Sequence, residues 1–116
     1  MGFGATCTIT PATTGRVRFT FVGTGGNGTS SQFVAVQAYY GTGSAPANGA
    51  STTGTTTGPI QRGAVNLANY NVPYNTGGTV TGLSVGTAYW FDVSVASVNG
   101  VGTSSIINNY CEAVEM

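Results

Sequence analysis

Histidine and lysine are absent, and Arg16, Arg18, Arg62, Asp92, Glu112 and Glu115 are the only charged side chains among 116 residues. Charged residues make up 5% of the chain, against about 25% in an ordinary globular protein. General acid–base catalysis needs a group that titrates near the working pH, most often histidine. A serine or cysteine nucleophile needs an adjacent base. The composition therefore argues against an enzyme. No cysteine–histidine cluster with zinc spacing and no acidic calcium loop occurs, so no metal or cofactor is expected. With three arginines and a net charge of zero, the chain lacks the basic surface that nucleic-acid binding requires.

No run of 18 apolar residues occurs, so no segment is expected to insert in a membrane. The start, Met1-Gly2-Phe3-Gly4-Ala5, has neither the basic nor the apolar stretch of a secretory signal. Assembly in the cytosol is the expectation, unless the chain is a mature or excised fragment. Cysteine is scarce too. Cys7 and Cys111 lie near opposite ends, and disulfide scaffolds of this size carry more bridges. The pair reads either as two half-buried thiols or as one bridge or contact joining the first and last strands.

What is present suffices for a core. Hydrophobic residues are 41% of the chain, with six tyrosines, five phenylalanines and one tryptophan, which fits one domain over residues 1–116 and argues against disorder. Zero net charge removes the repulsion that keeps proteins soluble. Such a surface is hidden in an assembly or clothed in hydroxyl and amide groups, and Thr, Ser and Asn are plentiful.

The apolar residues recur with period two. Val17, Phe19 and Phe21 alternate with Arg16, Arg18 and Thr20, and Tyr89, Phe91, Val93 and Val95 alternate with Trp90, Asp92 and Ser94. Both patterns predict strands with one face in a core. Gln32–Tyr40 and Ile106–Val114 read as further strands, with shorter ones at Ala5–Thr10, Ala64–Leu67, Asn71–Tyr74 and Thr79–Gly82. No segment has helical length and composition. The fold class predicted is an all-β antiparallel sandwich or jelly roll of about seven to nine short strands.

Gly23-Thr24-Gly25-Gly26-Asn27-Gly28 reads as a turn whose glycines supply positive φ. It lacks the lysine of a phosphate-binding loop. Gly41–Pro59 is almost wholly Gly, Ser, Thr, Ala, Asn and Pro and reads as a long surface loop of the functional or mobile kind. Tyr39 and Tyr40 at its base, Asn48 within it and Trp90 are the candidate partner-binding residues. In the last strand, Ile107, Cys111 and Ala113 share one face, and Ile106, Tyr110 and Val114 the other. A strand apolar on both faces suggests cover by a second subunit, so Ile106, Tyr110 and Val114 are the candidate oligomer interface. The alternative is a loop shielding that face.

Other chemistry is thin. Glu112 and Glu115 are three apart in a strand and point to opposite faces, so they form no catalytic pair. Asp92, between Phe91 and Val93, reads as a hydrogen-bonded partner for an arginine or a backbone group. Tyr39, Tyr40, Tyr70, Tyr74, Tyr89 and Trp90 could build a sugar platform or serve packing. Asn27-Gly28-Thr29 matches a glycosylation acceptor.

Three ordered segments resemble tailed-phage and prophage structural proteins: Ile9-Thr10-Pro11 with Gly15–Phe19; Tyr39–Ala50 with Gly54-Thr55; and Gly82–Asp92, ending in Ala113–Met116. The resemblance implies a virion surface component assembled in the host cytoplasm: a head decoration protein, or the knob of a fibre or spike. Such knobs often are trimeric jelly rolls like tumour necrosis factor. In that topology the first and last strands are sheet neighbours, which sets Cys7 near Cys111. The implied partners are further copies of the chain, as a homotrimer, and another virion protein or a host-surface glycan or protein. A second resemblance, over Leu83–Tyr89 and Val95–Ser104, is to the later strands of a fibronectin type III module. It implies a fibronectin-like or carbohydrate-binding module of a larger extracellular protein. Trp90 and the long loop depart from that pattern.

Overall fold

The computed structural model describes residues 1–116. After a single 3-10 turn at Phe3–Ala5 come seven strands: β1 (Thr8–Ile9), β2 (Val17–Asn27), β3 (Gln32–Thr42), β4 (Thr55–Val65), β5 (Asn71–Val80), β6 (Tyr89–Ser97) and β7 (Ser104–Glu115). They form two antiparallel sheets, ordered β1-β6-β3-β4 and β5-β2-β7. The predicted all-β sandwich is thus found, 47 Å long and about 20 Å thick.

The core lies where period-two alternation placed it. Val17, Phe19 and Phe21 of β2 face Val34, Val36 and Ala38 of β3 and Phe91 and Val93 of β6, all buried. Phe19 stacks on Phe91 at 5.2 Å, and Tyr40 stacks on Phe91 at 5.9 Å. Tyr89 and Val95 pack against this cluster from its margin. Burying this set supplies most of the drive to fold, at about 25 cal/mol for each Å² of apolar surface.

Four expectations are corrected. First, Gly23–Asn27 is strand, not turn, and none of its glycines has positive φ. Glycine is needed there for close approach: a Cβ on Gly23 would strike the side chains of Asn109 and Tyr74. Secondly, the surface loop is shorter than Gly41–Pro59, because β3 runs to Thr42 and β4 starts at Thr55. Gly58 and Pro59, read as loop punctuation, sit in a bulge. Val36 pairs with Gln61 and Ala38 with Thr57, so Gly58, Pro59 and Ile60 together oppose Gln37. Proline is tolerated there because β4 is an edge strand and a bulge spares the missing N–H.

Thirdly, Ile106, expected on an outer face, is in the core, 8% exposed. Val22 pairs with Tyr110 but Thr24 pairs with Ile107, so Asn108 and Asn109 oppose Gly23 alone. Asn108 takes φ 53° to make this bulge. One extra residue exchanges the faces of everything beyond it. Ile106 joins Cys111 and Ala113 inside, while Ile107 turns outward with Tyr110 and Val114. Fourthly, the first and last strands are not sheet neighbours. β1 lies beside β6 and β7 beside β2, in opposite sheets. Cys7 and Cys111 nevertheless meet, as a disulfide with Cα atoms 6.0 Å apart that ties one sheet to the other.

Candidate functional site

Three places carry the singled-out side chains. One is the outer face of the β1-β6-β3-β4 sheet, where alternation turns Tyr39 of β3 and Trp90 and Asp92 of β6 away from the core. Tyr39 pairs with Asp92, and Gly41 with Trp90. Residues 43–54 fold back over them as a flap. The Trp90 ring lies against Gly41 and Gly54, and its indole N–H donates to the Thr42 carbonyl at 3.2 Å. Gly54 has φ 82°, and a Cβ there would meet both the Tyr40 carbonyl and the ring. Trp90 is 4% exposed, so its role as a direct partner contact is corrected: a strand-phase argument turns it outward but cannot see the flap. The space left among Tyr39, Pro46, Ala50 and Trp90 is about 10 Å³, room for no more than a water.

Tyr40 points into the sandwich instead, between Tyr89 and Phe91. Asn48 is exposed on the flap, and its backbone lies over Gly2. Of the four candidates, the structure keeps Tyr39 and Asn48 at the surface, turns Tyr40 inward and buries Trp90. Asp92 is 3% exposed and binds backbone groups rather than an arginine. Its carboxylate accepts from Gly2 N at 2.9 Å and Phe3 N at 3.2 Å and pairs with the Met1 ammonium at 3.1 Å. That ammonium also donates to the Val93 carbonyl at 2.9 Å. Asp92 is therefore consumed in fastening the first residues along β6.

The second place is the end of the sandwich near Glu115. The backbone N–H groups of Ala12 (2.7 Å), Thr13 (2.9 Å), Thr14 (2.6 Å) and Gly15 (3.2 Å) all donate to its carboxylate. These bonds, those of Ala12 and Thr14 foremost, hold the acid down to a pKa of about 2. Successive N–H groups converging on an anion form a nest, here filled by the chain's own carboxylate. Nearby in role, Tyr74 donates to Asn109 Oδ1 at 2.6 Å, and burial pushes its phenol up to about 12. Asn27 is likewise spent: it is 1% exposed, donates to the Val101 carbonyl and Ser104 Oγ, and accepts from Thr29 N. An amide so enclosed is no acceptor for a glycan.

The third place is the outer face of the β5-β2-β7 sheet. Ile107 (44% exposed), Tyr110 (57%) and Val114 (40%) stand along β7, opposite Thr24, Val22 and Arg18 on β2. Nothing in the chain covers them. Tyr110 and Val114 were expected here; Ile107 was missed, because only the Asn108 bulge puts it on this side. Of the tyrosines considered for a sugar platform, Tyr70 is exposed and Tyr39 half-buried, while Tyr40, Tyr74 and Tyr89 are engaged in packing. In comparisons with protein-family models, curated proteins and solved structures, nothing matches this chain.

Proposed function

We propose that the chain is a non-enzymatic surface component of a tailed-phage virion, a head decoration protein or the knob of a fibre or spike. In this reading it associates with itself as a homotrimer and meets another virion protein or a host surface. The observation that carries it is the uncovered face of the β5-β2-β7 sheet. Ile107, Tyr110 and Val114 run along one strand with Val22 beside them, and the charges nearby are Arg16, Arg18 and Glu112. Interfaces of obligate assemblies resemble a core cut in half, and aromatic residues are enriched in them. A disulfide across the sheets suits a particle that works in an oxidising exterior. The absence of histidine and lysine supports a structural role over a catalytic one.

Light scattering at micromolar concentration tests this. The expected result is a trimer that persists in high salt, since there is little charge to screen. Tyr110→Asp should dissociate it. A wild-type monomer in low and high salt alike overturns the proposal.

A second reading has its own observation. In immunoglobulin-like sandwiches the second strand pairs with the fifth and the third with the sixth; β2–β5 and β3–β6 do so here. That supports a fibronectin-like or carbohydrate-binding module of an extracellular protein. The terminal strands depart from it, because β7 occupies the place beside β2 and β1 the place beside β6.

A further inference from the structure

Beyond the flap, the outer face of the β1-β6-β3-β4 sheet lies open. There Ala35 of β3 sits between Arg62 of β4 and Ala96 of β6, and Gln37 sits beside Ser94. Small side chains at Ala35, Ser94 and Ala96 make a floor lower than its rims, and the result is a trough of about 350 Å³. Arg62 and Ile60 form one rim, and Tyr39 closes the end next to the flap. Ile60, 49% exposed, stands two residues from Arg62 on the same face of β4. A trough of this volume falls in the size range of small-ligand sites, about 300–1,000 Å³.

Its charge is unopposed. No ion pair or side-chain hydrogen bond engages Arg62; the single ion pair of the chain joins Met1 and Asp92. Asp92 faces the same side but is buried beneath the flap with that ammonium against it. Glu112 and Glu115 belong to the other sheet. The trough therefore holds one free guanidinium and no competing carboxylate. A guanidinium fork matches a carboxylate in two parallel hydrogen bonds. A polyanion such as nucleic acid needs several cations along its length, which one arginine does not provide.

We propose that this trough binds a carboxylate-bearing sugar. Arg62 takes the carboxylate, the Gln37 amide and Ser94 hydroxyl meet ring hydroxyls, and Tyr39 offers an aromatic wall to the ring. The inference deepens the host-surface arm of the proposed function and rests on it for the source of the sugar. The binding chemistry itself is independent of self-association.

The test is a titration of isotopically labelled protein, followed by amide chemical shifts. The probes are sialyllactose and digalacturonic acid, with lactose as the neutral counterpart. Saturable shifts at Ala35, Gln37 and Ala96 are expected with an acidic sugar, and binding about tenfold weaker with lactose. Arg62→Gln should abolish the preference for the acid, and Arg62→Lys should retain part of it. Both substitutions are at an exposed site, and unchanged spectral dispersion verifies the fold. Absence of trough shifts with both acidic sugars at tens of millimolar overturns the proposal, as does equal binding of lactose or an unaffected Arg62→Gln. Light scattering on the same samples reads the oligomer separately, so loss of the trimer and loss of sugar binding are distinguishable.

Discussion

At the scale of single residues, Glu115 shows how a scarce charge is used. Its carboxylate gathers four backbone N–H groups from residues 12–15 and is held at a pKa of about 2, below the 4.5 of a free side chain. A group whose pKa falls on folding stabilises the native state above its unfolded value and ceases to do so as pH drops through the folded one. The urea midpoint should therefore decline between about pH 5 and pH 2. In Glu115→Gln the midpoint should be lower at neutral pH and this acid limb flattened. An identical acid limb in both proteins would show that Glu115 does not govern it. None of this cradle was legible beforehand, because the Ala12–Gly15 donors are backbone groups supplied by a distant loop. Phe91 and Trp90 differ from it: alternation assigned each to its face, and burial of both followed from two separate covers.

At the scale of elements, legibility tracked regularity. The cores of β2 and β6 were readable because their apolar residues alternate without interruption. β4 was hidden by Gly58 and Pro59, whose bulge looks like a loop to any reading of composition. β7 was recognised, but the Asn108 bulge reversed part of its phase, and so Ile106 and Ile107 exchanged sides. The flap of residues 43–54 could be recognised as a loop; its docking on Trp90 could not, since contact between an excursion and a sheet leaves no periodic trace. Trp90 is the sole tryptophan, which makes this docking measurable. Replacing Ser44–Thr53 with two glycines should move its fluorescence to longer wavelength while circular dichroism stays that of a β protein. Unchanged emission would mean that the ring is shielded by something other than the flap.

At the scale of the whole molecule, the sandwich is held along one side by a bond rather than by a strand. β1 is two residues long and covers little of β6, while β7 belongs to the other sheet. The Cys7–Cys111 disulfide joins the two, closing a loop of sequence separation 104. By the chain-entropy model a loop of that size is worth about 4.7 kcal/mol. Replacing both cysteines with serine should lower the urea-unfolding free energy by several kcal/mol, and adding a reductant to the wild type should bring it to the same value. A loss under about 1 kcal/mol would show that the bridge does little in solution. The sequence had left bridge and free thiols open, and only the crossing of the first strand to β6 settles which side chains meet.

The same bond fixes how the molecule would carry a pull. Tension entering ahead of Cys7 and leaving beyond Cys111 passes from sulfur to sulfur across Cα atoms 6.0 Å apart. The strands between them sit outside the line of force. Each residue outside the bridge can lengthen by about 3.5 Å, and the enclosed sandwich by nothing until a covalent bond breaks. Of the strands, only the Glu112–Glu115 end of β7, paired with Val17–Thr20, lies in that path and would peel away first, leaving the rest of the sandwich riveted.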